Sequence, residues 1–395
     1  MARKLYRYSF EQPQGLDPTP LYAQLRSDDP IARVQVPYGR EAWLVTRYDE
    51  VKSVLGDPRL SRALAVGPDT PRRGRNWARA DAVISLDPPA HTRVRKFLNP
   101  TFSTRNLDRL RPRIEGIVAS LLDDVLDHGP PADLVSLLTR RAPVMAICEV
   151  LGIPYDDRAK FGGFPQMLMA TDSPEAREGM LVYLRELIAE RRARPTDDLF
   201  SALVKEADSG GQITEGEVIA LCENLLANGY ETMANEIANF IYVLLTHPDQ
   251  IAWLREDMSR MPKAIEELLR YVPLAAGAPG AGGHARIATA DVELDGMTIA
   301  DGEAVLPAIN SANRDERVFA EPDRLDLNRA HNPHLTFGHG MHYCLGAQLA
   351  RVEFQAILSG LLLRFPNVRL AVDPDDVPWK TSHIQRGPVE LLVVW

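Results

Sequence analysis

Phe337-Gly338-His339-Gly340-Met341-His342-Tyr343-Cys344-Leu345-Gly346 sets a single cysteine behind a glycine-bearing loop and in front of a run that reads as helix from Leu345 to Phe365. Glycines let a backbone turn sharply and approach a large flat group closely. Backbone N–H groups at the start of the following helix stabilise a thiolate. A thiolate held in this way can ligate iron and push electron density onto it. Two plainer readings stand beside this one. Cys344 could be a small buried hydrophobe, the common fate of a cysteine without a partner. It could also form a nucleophilic pair with His342, although no residue that would orient that histidine is evident.

Composition narrows the surroundings of this loop. The 395 residues are 45% hydrophobic and 25% charged, enough apolar material for a large core. A net charge of -9 argues against nucleic acid as a partner, because phosphate binding needs a basic surface. Cys148, Cys222 and Cys344 are widely separated and odd in number. That spacing is no disulfide framework and points to a reducing, cytoplasmic setting. The first seven residues carry charge without an apolar segment behind them, and no apolar run is long enough to cross a bilayer. The expectation is a cytoplasmic protein with no membrane contact.

Glu41–Thr46 reads as a strand and Asp49–Leu55 as a helix stopped by Gly56. Residues 62–85 are rich in Arg, Gly and Pro and read as a long loop, a type of segment that is often functional. From His91 to about Lys205 the pattern is mainly helical, with turns punctuating residues 150–178. Thr214-Glu215-Gly216-Glu217 reads as a capping box. The helix behind it runs from Val218 to about Leu245, apolar nearly all round, and so should pass through the middle of a domain. A further helix covers about Pro262 to Tyr271, and Ala285–Leu306 alternates in strand fashion. No repeat or linker interrupts residues 1–395. One mainly α domain is expected, helix-rich, with small β-sheets contributed from both ends of the chain.

The cysteine stretch resembles the haem-binding loop of the cytochrome P450 family, Phe-Gly-x-Gly-x-His-x-Cys-x-Gly, at every fixed position. The resemblance extends in order over essentially the whole chain. It implies the single-domain P450 fold, haem b as cofactor and Cys344 as the iron ligand, with Phe337 and Gly346 framing the loop. His91 and Arg95 resemble the family's His-x-x-x-Arg clamp on the haem propionates, and at i,i+4 they share a helix face. Arg286 and His342 fit the remaining propionate contacts. Glu267-Leu268-Leu269-Arg270 resembles the Glu-x-x-Arg pair, for which Arg324 is the expected third member.

Asn228-Gly229-Tyr230-Glu231-Thr232 resembles the family's oxygen-activation segment. A mid-helix glycine costs about 1 kcal/mol against alanine, so Gly229 wants a reason. The resemblance implies a local helix opening there, with Thr232 hydrogen-bonding near the iron and Glu231 relaying protons. Asn228 stands where the family has a small residue. Its amide either meets substrate and ordered water or satisfies a distorted backbone. Ile84, Ser85, Met167, Met169, Leu225, Leu274, Ala275, Ile384 and Gln385 are the implied substrate contacts, lining a mainly apolar cavity.

The implied reaction is the oxidation of a bulky natural product with O2. Electrons should come from a separate ferredoxin and its NAD(P)H-dependent reductase, since the chain has no flavin or iron–sulfur region. Arg93, Lys96, Arg105 and Arg351 are candidates for a basic docking patch. Oxidative coupling without oxygen insertion stays open, and Asn228 is the residue that keeps it so. A purely haem-binding role is disfavoured, because it would have no use for the proton relay of Glu231 and Thr232.

Overall fold

The computed structural model describes residues 4–8, 15–72, 80–153, 174–211, 213–273, 284–380 and 385–395. The helices among them are α1 (Leu21–Asp28), α2 (Tyr48–Gly56), α3 (Ala90–Leu98), α4 (Thr104–His128), α5 (Arg141–Leu151), α6 (Pro174–Ala193), α7 (Leu199–Asp208), α8 (Glu215–Leu245), α9 (Pro248–Glu256), α10 (Met261–Tyr271), α11 (Ile309–Ala312) and α12 (Ala347–Arg364). The strands are β1 (Leu5–Arg7), β2 (Ile31–Gln35), β3 (Ala42–Val45), β4 (Leu60–Ser61), β5 (Ala132–Asp133), β6 (Arg286–Ala288), β7 (Val292–Leu294), β8 (Met297–Ile299), β9 (Ala304–Pro307), β10 (Arg369–Leu370) and β11 (Leu392–Val394).

α8 is the axis of the helical layer. Its start follows from a reciprocal cap. Glu217 N–H donates to Thr214 Oγ1 at 3.3 Å, and Thr214 N–H donates to Glu217 Oε2 at 2.8 Å, which satisfies donors that a helix end leaves open. From there α8 packs on α5 and α12. Phe240 meets Phe354 of α12 with ring centroids 4.7 Å apart, both rings fully buried. Burying rings of that size contributes about 2–3 kcal/mol each. α8 is less uniformly apolar than its sequence reads, because Glu223, Asn235, Glu236 and Asn239 are buried on it. Burial pushes the Glu236 carboxyl well above its ordinary range.

Both ends of the chain contribute small sheets, as expected. The six-stranded sheet runs β1-β2-β3-β9-β6-β4, so the N-terminal strands pair with residues 286–307. The C-terminal strand β11 instead pairs with β10 and with β5 from the middle of the chain. The 62–85 loop carries two short 3₁₀ turns, Ala63–Ala65 and Val83–Ser85.

Candidate haem-thiolate site

The cysteine loop is built by two left-handed glycines. Gly338 (φ +77°) and Gly340 (φ +72°) take a conformation that side chains disfavour. Gly340 also presses on α2, where an added Cβ would stand 2.9 Å from both Gly56 Cα and Leu55 O. The loop closes on itself through Cys344 N–H to Phe337 O at 2.8 Å and Gly338 N–H to Leu335 O at 2.7 Å. α12 then starts behind Gly346, with no side chain capping it. Its N–H groups therefore remain available to Cys344, which is accessible. Although the residue is accessible, the protein crowded around its sulfur pushes the thiol up, and the N–H of Gly346, the guanidinium groups of Arg95 and Arg351 and the N–H of Ala347 work against that shift. A coordinated metal would complete the deprotonation.

Beside the loop lies a dense cluster of cations and imidazoles. His91 and His342 stack with ring centroids 4.4 Å apart. Arg95 Nη2 donates to Tyr343 O at 2.9 Å. Arg286 on β6 is buried, with Nη2 3.5 Å from Leu55 O, and its Nε has no partner among the described residues. Two members were not singled out in the sequence. Arg62 follows β4, and one more step of the β4–β6 register (Ser61 opposite Ile287) sets it opposite Arg286. It donates from Nε to Ile84 O at 3.0 Å and from Nη1 to Ala285 O. His284 lies beside both arginines. The strand pairing of residues 60–62 with 286–288 is the signal that would have found Arg62, and it is a long-range one.

Burial weakens every one of these bases, and repulsion from neighbouring bases adds to it for Arg62, His91, His284 and His342. Arg62 is pushed down to about 9 by burial and then by Arg286, while burial lowers Arg286 to about 10. Burial, His91 and Arg286 push His342 down to about 3. His91 and His284 also fall below their usual range, by burial first. Asp87 is the carboxylate that opposes these shifts. Like charges directly across a strand pair are destabilising. A buried excess of cations with an orphaned guanidinium N–H suits an anion carrying more than one carboxylate.

The local opening expected at Gly229 is not seen, because α8 runs unbroken through residues 228–232. Asn228 Nδ2 donates to Asn224 O at 2.9 Å, and Thr232 Oγ1 donates to Asn228 O. Asn228 thus bonds a carbonyl of a regular helix, not of a distorted backbone, and the residue is exposed. Gly229 faces α5, where an added Cβ would meet Ile147 at 3.5 Å, an ordinary contact. Crowding therefore does not demand glycine there. Leu225 is half-buried on α8 and Ser85 is buried, its Oγ without a partner among the described residues. Gln385 Oε1 accepts from Asn235 Nδ2 at 3.1 Å. Met167, Met169, Leu274, Ala275 and Ile384 lie outside the described residues.

The model of the family described as cytochrome P450 matches residues 166–389. The chain is 46% identical to nocardicin C N-oxygenase of Nocardia uniformis subsp. tsuyamanensis and 41% identical to mycinamicin IV hydroxylase/epoxidase of Micromonospora griseorubida, with 98% of each chain covered in both cases. The chain is a cytochrome P450. The solved structure of a P450 with biaryl coupling reactivity superposes with a TM-score of 0.91 at 38% identity, covering 99% of this chain and 100% of that one. Proteins of this family are oxidoreductases that hold haem b through a cysteine thiolate and use O2, small-molecule substrates and a redox partner. The residues present fit that group. Haem b brings two propionates and an iron, and the pocket offers a buried cationic cluster with an orphaned Arg286 N–H beside an accessible cysteine.

Two expectations need correction. Glu267 and Arg270 do form a buried bidentate pair, with Nε–Oε2 and Nη2–Oε1 both at 2.8 Å. The third member, however, is Arg329, whose Nε donates to Glu267 Oε2 at 3.0 Å. Arg324 points outward with its side chain 64% exposed and pairs with Glu321. The chain reverses at Glu321 (φ +44°) and turns the Arg324 carbonyl inward, where Arg270 and Arg329 both donate to it. The basic patch is also smaller than expected. Arg351 holds Glu266 at 2.7 and 2.8 Å and lies 4.6 Å over the Phe337 ring. Arg93 pairs with Glu217. Lys96 and Arg105 are exposed.

Proposed function

We propose that this P450 is a haem-thiolate monooxygenase that oxidises a bulky, mostly apolar small molecule in secondary-metabolite tailoring, with electrons from a ferredoxin. The observation that carries the reading is Cys344, accessible at the uncapped start of α12 and flanked by the cationic cluster. When bound, the haem supplies reductive activation of O2 and delivery of one oxygen atom to the substrate. The chain's own residues do the rest. His91, Arg95, Arg286 and His342 bind the propionates, and the N–H groups of Gly346 and Ala347 hold negative charge on Cys344 Sγ. Thr232 Oγ1 gives its proton to the Asn228 carbonyl and so keeps lone pairs free to accept a second hydrogen bond. Glu231, one residue earlier on α8, passes protons from solvent toward it. Lys96 and Arg105 form the docking face for an acidic electron carrier.

The test is the absorbance of the reduced, carbon monoxide-bound protein in wild type and Cys344→Ser. A long-wavelength Soret band lost in the variant is the expected result; a band typical of histidine ligation would overturn the reading. Coupling without oxygen insertion is the second reading, favoured by the exposed Asn228 amide in place of a small residue. Product mass separates the two, as gain of one oxygen against loss of two hydrogens.

A further inference from the structure

Two C-terminal arms, residues 378–380 and 385–389, pair antiparallel as a hairpin against α8. Trp379 pairs with Pro388, Lys380 N–H donates to Gly387 O at 3.0 Å, and Val389 N–H donates to Pro378 O at 2.7 Å. The hairpin is seated on one side chain of the helix. Lys380 Nζ donates to Asn235 Oδ1 at 2.6 Å. Asn235 Nδ2 donates in turn to the Glu231 carbonyl at 3.0 Å and to Gln385 Oε1 at 3.1 Å. Gly387 is pressed so closely on this amide that a Cβ there would lie 2.4 Å from Asn235 Oδ1. One turn further on, Asn239 Nδ2 donates to the Arg386 carbonyl at 3.1 Å.

Charge follows the same line. Lys380 is half-buried, and burial lowers its pKa; Arg140, just ahead of α5, lowers it further, and Glu231 opposes both. Tyr230 feels the same Arg140 and Glu231. Lys380, Arg140, Tyr230 and the Glu231 carboxyl thus lie within electrostatic reach of one another, beside the Asn235 amide that Lys380 and the Glu231 carbonyl share.

We propose that Lys380 is a positioning residue for Glu231, tying the carboxyl of the proton relay to the hairpin that carries Gln385. The proposal rests on the reading of Glu231 as the relay acid. The ammonium keeps Glu231 ionised and, through Asn235, fixes the turn of α8 on which it stands. A displacement of the hairpin by a ligand at Gln385 then reaches Glu231 through a single shared amide. Lys380 itself neither gives nor takes a proton.

The test uses the haem-loaded protein, with its carbon monoxide spectrum as the check on folding. The unfolding equilibria of Lys380→Met, Glu231→Gln and the double variant are compared at pH 7. Direct interaction predicts that the two single effects fail to multiply, by about two- to fivefold in the equilibrium constant. NADPH oxidation driven by a plant-type ferredoxin and its reductase, without added substrate, is then followed against pH. Losing the ammonium should move the limb governed by Glu231 about half a unit to higher pH, and Lys380→Arg should restore it. Single effects that multiply, or a limb that stays put while the rate falls at every pH, reduce Lys380 to a structural prop and overturn the proposal. Should Lys380→Met fold poorly, Lys380→Gln serves in its place. A Glu231→Gln variant that keeps the wild-type rate and pH profile removes the relay reading, and this proposal with it; a slowed Glu231→Gln with no Lys380 coupling removes this proposal alone.

Discussion

Replacing Arg329 with alanine isolates the buried carboxylate network from everything else in the molecule. The Arg329 guanidinium is 9% exposed and makes four bonds: Nε to Glu267 Oε2 at 3.0 Å, Nη1 to Ala320 O at 2.7 Å, and Nη2 to Glu321 O at 3.3 Å and Arg324 O at 3.2 Å. Arg329→Ala takes one cation from a carboxylate that is 1% exposed and leaves three carbonyls short of a donor. Breaking a buried pair from one side costs about 3–5 kcal/mol. Arg270 stays on Glu267, so the lower end, about 3 kcal/mol, applies. Unfolding entropy is about 2 cal/mol/K per residue, so 395 residues carry about 0.8 kcal/mol/K. The melting temperature should fall by about 4 °C. Arg324→Ala removes a pair whose side chains are 64% and 72% exposed. Such pairs contribute about 0–1 kcal/mol, a shift of at most about 1 °C. Thermal unfolding of the haem-loaded variants, followed by circular dichroism, makes the comparison. Equal losses in the two variants, or a larger loss for Arg324→Ala, would refute the assignment of Arg329.

Two further outcomes follow from the site. Arg286→Gln should speed haem loss to an acceptor globin at least about tenfold, since the buried charged donor proposed for a propionate is removed; an unchanged rate would place the propionates elsewhere. Glu266 sets a pH window: burial raises its carboxyl, but bonds from Arg351 and His334 outweigh burial and hold it at about 2. A depressed carboxylate stabilises the fold in full above its unfolded value, about 4.3, and loses that contribution as pH falls through the folded value. The stability difference between wild type and Glu266→Gln should therefore be flat from pH 7 to about 5.5 and shrink between about 4.5 and 2. A difference still growing at pH 3 would contradict the pairing.

The cysteine loop was legible because its determinants are local. Two left-handed glycines and an uncapped helix start lie within ten residues of sequence, and the Thr214–Glu217 cap is local in the same sense. What stayed hidden depends on distant backbone. Arg324 and Arg329 stand five residues apart in a stretch without periodicity. Which of them turns inward is decided by the reversal at Glu321 and by where the three carbonyls point. Arg62 joins the cationic cluster only through a strand pairing with residues more than two hundred positions later. The burial of Asn235 and Asn239 on α8 was invisible for a related reason, because their partners are Lys380, Gln385 and Arg386 from the far end of the chain.

The six-stranded sheet also imposes a timetable. β4 and β6 each lead into one arginine of the anion pocket, and β6 is held between β4 and β9. Pairings of such sequence separation form late, because the loop must close before any contact rewards it. On the ribosome, β1 through β4 must wait for residues 286–307 to emerge before the sheet has its centre. The two guanidinium groups are thus brought face to face in one of the last folding steps. An anion bound between them would relieve that repulsion, and its supply during synthesis would then favour closure of the sheet.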